Sequence, residues 1–375
     1  VTTGGQQGTN LPTAIVIRGA DPHLSRILHT GTGDCFQHGL LWDSSAGTSY
    51  PPMQSPFTAE NVAFVASAGN SLSSSGFRGS AFAINLRQNG NWGVFNLTNV
   101  RFHAFDGRSA WGGFINAQGA TNTNFYNVWA EGGSYDTTAL GLSRNTQIGF
   151  QFTCPDLTNV SNYDARAKYK SYVFNFTNCT VAAVTHAVKF WCQGTNSTLE
   201  GAIFTNCGGR SVKGAWFNLV VEDYPNWMPP YFVFDKCNMQ GPGQLFHIDS
   251  CSEFHMKDCL MYLDPNGFGP SGANYIEIIN CRQAYISDNS FIMLNGSHVN
   301  SIFAFGDNSR NVKIKYNHFE FDTNISAQNA NFGGNNFLWC ASNCTNMKAH
   351  YNDYVRDSAG QTNNMLNTNG PWSVL

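Results

Sequence analysis

The sequence predicts an all-β chain wound as a parallel β-helix, a β-solenoid of about ten or more coils. Three observations predict it. An eight-residue phrase with mostly apolar first, third and eighth positions recurs along residues 57–354. A second short apolar strand precedes most copies, and fixed positions of the phrase carry the same residue types from copy to copy, as stacked columns would.

The copies begin at Phe57, Phe95, Thr123, Phe174, Ala202, Phe232, Phe254, Ala284, Val312 and Met347, so successive starts lie 38, 28, 51, 28, 30, 22, 30, 28 and 35 residues apart. The 51-residue interval has room for an unrecognised copy or a long insertion. Every third position is apolar, from Ala59, Leu97 and Phe125 to Ile286, Ile314 and Ala349, while second and fourth positions are mostly polar. That period of two reads as a strand with one buried face. The fifth position is Asn in the first five copies (Asn61, Asn99, Asn127, Asn178, Asn206). The sixth runs Val62, Val100, Val128, then Cys179, Cys207, Cys237, Cys259, then Asn289, Asn317, Asn352. An Asn after a strand tolerates a left-handed backbone and can bond the same residue one coil away, so Asn columns favour repeated sharp bends.

The preceding strands are read at 150–154, 188–192, 216–221, 245–249, 275–279, 302–305 and 337–340. Two strands and two or three turns in each 22 to 38 residues make one coil. Helical repeats of similar period do not fit phrases rich in Phe, Val, Ile, Thr and Asn and punctuated by Gly and Pro. Residues 1–56 read as N-terminal coils leading into the solenoid, 57–354 as the main β-helix and 355–375 as a C-terminal tail.

Composition narrows the function. Of 375 residues 42% are hydrophobic and 12% charged, which excludes a disordered chain. Lys plus Arg at 21 against Asp plus Glu at 24 gives a net charge of −3 with no basic block, which argues against nucleic acid and an electrostatic membrane anchor as partners. No apolar run approaches the roughly 18 residues of a spanning helix, so membrane insertion is not expected. Eleven cysteines, an odd number spread along the chain, fit buried thiols made in a reducing compartment better than a disulfide scaffold.

The phrases FNLTNVRF (95–102), FNFTNCTV (174–181) and AYISDNSF (284–291), with the opening IVIRGADPHLSRILHTGTGDCF (15–36), resemble the pectate-lyase-like right-handed β-helix superfamily. Within it they are most similar to bacteriophage tailspike depolymerases. The opening carries the superfamily's apolar strand, its Gly turn (Ile17, Gly19), a segment ending in Ile27, and Gly33-Asp34 before the next strand. The resemblance covers residues 12–354 and implies a single-stranded right-handed helix, a bacterial polysaccharide as partner, and a place on a virion tail or baseplate, outside the cell. A homotrimer is expected, because outward Phe, Trp and Tyr on a long solenoid are commonly buried between subunits. The family's virion-attachment and long trimer-forming domains have no counterpart in these residues, so a piece of a longer spike, or a short spike carried by another protein, is expected. The superfamily hosts several chemistries, so the reaction must be argued from residues.

With Phe190, Leu219, Val221, Phe246, Ile248, Ile276 and Ile278 turned inward, the outward positions of the preceding strands are Lys189, Trp191, Asn218, Glu222, His247, Asp249 and Glu277. Neighbouring coils place such groups about 5 Å apart and alternate coils about 10 Å, which brackets the carboxyl separations of retaining and inverting glycosidases. In a chain so poor in charge, Glu222, Asp223, Asp249, Glu253 and Glu277 gathered on neighbouring coils are informative. Glu222, Asp249 and Glu277 are the candidate acid and nucleophile or base, with Asp223 and His247 tuning them, since crowded carboxyls separate in pKa. The loop DYPNWMPPYF (223–232) presents Tyr224, Trp227 and Tyr231 between prolines; together with Trp191, Lys189 and Asn218 these are the candidate substrate-binding residues. The blander reading makes the charges a solvated sheet face and the loop a hydrophobic lid or subunit interface.

A second cluster, Arg101, His103, Asp106, Arg108 and Trp111 with Trp129, Glu131, Tyr135 and Asp136 one coil later, reads as one stacked turn able to grip an acidic sugar, or as an inter-loop ion pair. The cysteine column reads as core filler. His247 and His255 are the histidine pair to watch, and neither a metal site nor a cofactor is expected. The expected function is endolytic hydrolysis of a bacterial capsule, O-antigen or exopolysaccharide by paired carboxylates. The alternatives are a lyase acting on a uronic-acid polymer and a non-catalytic receptor-binding or structural virion spike or adhesin.

Overall fold

The computed structural model describes residues 2–3, 15–31, 33–38, 57–67, 78–85, 94–105, 111–118, 120–132, 146–154, 173–192, 199–210, 216–221, 228–241, 244–263, 274–293, 301–321, 338–355 and 371–374. Among these the regular elements are all strands, paired in parallel, and the chain passes back and forth between two sheets. This all-β architecture is compatible with a parallel β-helix. Contacts divide it into two compact units, residues 1–201 with 221–227, and residues 202–220 with 228–375.

In the first unit, Phe36–His38, Arg78–Asn85, Trp111–Gln118, Thr146–Cys154 and Val184–Cys192 pair successively in the first sheet. The second sheet starts with Ile15–Arg18 and Arg26–His29, both laid on Phe57–Ala66, and continues through Val94–Ala104 and Thr121–Glu131 to Phe174–Thr177 and Thr180–Ala182. Thr123 pairs directly with Phe174, so the 51-residue interval holds an insertion and no hidden copy of the phrase. In the second unit, the first sheet runs Phe217–Val221, Phe246–Ile248, Ile276–Ile278, Phe303–Phe305 and Leu338–Cys340. Its second sheet runs Tyr231–Asp235, Cys251–Lys257, Cys281–Ser287, Arg310–Lys315 and Thr345–His350.

The repeated phrases are the strands of the second sheet, in register. Phe57 pairs with Phe95 and Phe95 with Thr123; Phe232, Phe254, Ala284, Val312 and Met347 form one continuous row. All ten fifth positions have positive φ, from 51° to 60°: Asn61, Asn99, Asn127, Asn178, Asn206, Lys236, Asp258, Asp288, Tyr316 and Tyr351. This left-handed residue breaks the strand's alternation and turns the chain. The Asn members support each other, Asn99 Nδ2 donating to Asn61 Oδ1 at 2.9 Å and Asn127 Nδ2 to Asn99 Oδ1 at 2.7 Å.

Where the sixth position is Asn, its side chain donates to the third-position carbonyl of the adjacent copy, a bond that Val62, Val100 and Val128 cannot make. Asn289 Nδ2 donates to Met256 O at 3.1 Å, Asn317 to Ile286 O at 3.0 Å and Asn352 to Ile314 O at 3.0 Å. The thiols do the same more weakly: Cys179 to Phe125 O, Cys237 to Phe204 O and Cys259 to Phe234 O, each at 3.5 Å. The cysteine column is therefore more than core filler: it satisfies buried backbone acceptors, which would otherwise cost about 1–3 kcal/mol each. All eleven cysteines are buried free thiols.

Inward phrase positions build an aromatic core. Phe57, Phe95, Phe125 and Phe176 follow one another at centroid spacings of 5.6, 5.1 and 5.2 Å, mostly edge to face. In the second unit Phe204 stacks on Phe234 at 4.8 Å, and Phe246 meets Phe234 at 4.5 Å. Each such ring contributes about 2–3 kcal/mol of burial, so successive strands are held by apolar stacking and the polar columns set where the chain turns.

Candidate functional site

The first-sheet strands Phe246–Ile248 and Ile276–Ile278 are short, with apolar residues buried on either side of one outward residue. Those outward residues, His247 and Glu277, are directly paired in register. His247 Nδ1 lies 3.1 Å from Glu277 Oε2, and Nε2 lies 2.9 Å from Asp249 Oδ1 at the end of the same strand. A single imidazole thus bridges two carboxylates. Its side chain is 26% exposed and those of Asp249 and Glu277 are 15% and 31%, so solvent reaches the cluster.

Three further residues complete it. Gln244 Nε2 donates to Glu277 Oε2 at 3.0 Å, Asn274 Nδ2 donates to Oε1 at 3.0 Å, and buried Ser301 Oγ donates to Asn274 Oδ1 at 2.7 Å. The sequence contains a signal for the two amides: each stands three residues before the outward residue of its strand, Gln244 before His247 and Asn274 before Glu277. Asn218, in register with His247 on the preceding strand, keeps a buried Oδ1 without a hydrogen-bond partner.

Hydrogen bonds to Asp249 and then to Glu277 push the His247 pKa up to about 9, outweighing its partial burial. Glu277 moves down from the usual carboxylate value, first through His247, with Asn274 and Gln244 adding to it against burial. At neutral pH the cluster is therefore an imidazolium between two anions. His247 can give a proton but is already protonated and cannot take one, and Glu277 suits the role of a fixed anion, not a general acid.

Of the other candidate residues, Glu222, Asp223, Tyr224 and Trp227 lie outside the described residues. Lys189 and Trp191 are outward neighbours on Val184–Cys192 in the first unit, the ammonium 5.2 Å from the ring centroid. Tyr231 requires a correction: it opens the second-sheet strand Tyr231–Asp235, opposite Glu253, and so belongs to a different sheet from His247. The prolines before it end the loop, and the alternation of YFVFD has already begun. His255 also lies on the second sheet, beside Glu253 at 3.2 Å and Tyr285 at 5.1 Å, and forms no pair with His247.

The second cluster is only partly one turn. Arg101 lies in register with Trp129 and 5.2 Å over its ring, so this cation is committed to an aromatic face. Trp111 is buried at the start of a first-sheet strand, donating to His103 O at 3.2 Å and stacking on His29 at 5.5 Å. Its apolar surface wins over the turn assignment. Asp106, Arg108, Tyr135 and Asp136 lie outside the described residues.

No protein-family model, curated protein or solved structure matches the chain.

Proposed function

We propose that the chain is a single-stranded right-handed parallel β-helix of the tailspike kind that binds a bacterial surface polysaccharide and cleaves it endolytically by hydrolysis. The observation that carries this reading is the Asp249–His247–Glu277 bridge on outward positions of adjacent first-sheet strands. Glu277 serves as the fixed anion that stabilises positive charge developing on the sugar ring. The proton for the leaving oxygen comes from His247, which its two carboxylate neighbours hold protonated. Asp249 is the second carboxylate, while Asn218, in register with His247, holds a sugar ring through its unpartnered Oδ1. A lyase fits less well, because the imidazole in the cluster is protonated up to about pH 9 and cannot abstract the proton at C5 of a uronate.

The test is incubation with a panel of capsular and O-antigen polysaccharides, with products sized by mass spectrometry. Discrete oligosaccharides heavier by one water per cut are expected. Products of elimination mass would replace hydrolysis by a lyase reaction, and an intact but bound polymer would leave the non-catalytic spike or adhesin.

A further inference from the structure

We infer that three neighbouring second-sheet strands in the second unit form a binding face for an acidic polysaccharide, a glycan bearing carboxylates or sulfates along its length. This rests on the glycan reading above and names the charge of the polymer. Cys281–Ser287, Arg310–Lys315 and Thr345–His350 are consecutive neighbours. Together they carry Arg282, Arg310, Lys313, Lys315 and Lys348 and no Asp or Glu, in a chain with only 21 Lys and Arg. Four of the five are exposed and Lys348 is half-buried.

The arrangement costs stability. Lys313 stands directly opposite Lys348, and like charges in register repel. Among the described residues no carboxylate comes within ion-pair distance of any of the five cations. The adjacent strand Cys251–Lys257 behaves differently: Glu253 is 3.2 Å from His255, and Lys257 lies 3.7 Å from Asp258. A row of uncompensated cations held on a rigid sheet is complementary to a row of anions.

Strand spacing sets the step between the register neighbours Lys313 and Lys348 at about 4.8 Å, close to the length of one pyranose residue, so a chain lying across these two strands meets a cation on each. The rings on this face favour a glycan over a single-stranded nucleic acid. Lys313 Nζ sits 5.2 Å from the Tyr285 centroid, and His255 is 5.1 Å from the same ring. Lys315 Nζ sits 5.3 Å from the Tyr316 centroid, and Tyr351 stacks on that ring at 5.5 Å. Lys313 and His255 both pack at the Tyr285 ring, and Tyr316 and Tyr351 each spend one face on the other, so the rings do not form a run of open platforms on which successive bases stack.

The test uses the full chain and affinity electrophoresis through gels containing alginate or dextran, at low and at raised salt. Alginate should retard the protein, dextran should not, and salt should weaken the retardation. The triple variant Lys313→Gln, Lys315→Gln, Lys348→Gln should lose roughly tenfold or more of the alginate affinity, with a melting temperature equal to or above that of the parent. Asp249→Asn should keep full retention, so loss of cleavage and loss of binding are read separately. Unchanged retention in the triple variant, equal retardation by dextran, or tighter binding of a single-stranded DNA oligonucleotide or of anionic phosphatidylserine vesicles than of alginate would overturn the assignment.

Discussion

His247 and Glu277 face each other across one strand spacing, Nδ1 to Oε2 3.1 Å, while the other ring nitrogen of His247 faces Asp249 at 2.9 Å. With an anion at each nitrogen, the doubly protonated ring is the species the fold stabilises. Its pKa of about 9 lies above the ordinary 6.5, so this contribution to stability is complete below about pH 6.5 and is lost as pH rises through about 9. Glu277 has the opposite sign: its depressed pKa contributes above the ordinary 4.5 and is lost as pH falls through the folded value. Melting temperatures measured across the alkaline range should fall between about pH 6.5 and 9, by the equivalent of at most about 3 kcal/mol. His247→Gln should flatten that limb, and an equally steep decline in the variant would place its origin elsewhere.

Glu277→Gln tests both chemistry and support. Turnover should drop by about a hundredfold or more. The variant should also melt lower, by about 2 kcal/mol or more, because three donors from His247, Gln244 and Asn274 converge on the two carboxylate oxygens and glutamine keeps only one acceptor oxygen for them. Asp249→Asn should match the loss of turnover. Full activity in both variants would remove the cluster from the reaction.

Much of this was legible in the sequence, and the reasons are specific. Period two and the columns located the register of the repeated second-sheet strands, since a parallel in-register stack repeats its chemistry at one position, while strand ends such as Cys251 fall outside the phrases. The left-handed turn showed itself through Asn61, Asn99 and Asn127, but Lys236, Tyr316 and Tyr351 adopt the same φ without announcing it. Charge scarcity and alternation singled out His247, Asp249 and Glu277. Gln244 and Asn274 escaped because they precede their strands, where alternation carries no information. The basic face escaped because its members are scattered from residue 282 to residue 348 and only the fold gathers them.

The sixth-position column orders its members by donor strength. Asn317 is fully buried, donates to Ile286 O and Lys315 O, and accepts from both the backbone and the side chain of Asn289. Asn317→Val should cost about 3 kcal/mol in chemical denaturation, and Cys259→Val about 1 kcal/mol, since a thiol is a weak donor and valine replaces its apolar volume. Equal losses would mean that volume, not donation, selects the residue.

The thiols should be silent in the native protein. Cys251 and Cys281 are neighbours at 3.6 Å, both fully buried, and burial first and the adjacent sulfur second hold the Cys251 thiol well above its ordinary pKa. A disulfide reagent should titrate close to none of the eleven cysteines in native buffer and all of them in denaturant. Rapid native reaction of several would contradict the packed stack.

Lys236, like Tyr316 and Tyr351, is a column member ill suited to its backbone. Its φ of 54° matches that of Asn178, yet lysine lacks the short polar side chain that makes the left-handed region accessible at low cost. It is exposed, and its backbone N–H donates to Lys257 O at 3.0 Å, a bond that any residue other than proline keeps. Lys236→Asn should therefore stabilise the second unit by about 0.5–1 kcal/mol, whereas Lys236→Val, β-branched and strained at positive φ, should destabilise it by about 1 kcal/mol or more. Denaturation midpoints should rank Asn above Lys above Val. Three equal midpoints would show that the turn is held by its neighbours alone and draws nothing from the residue placed in it.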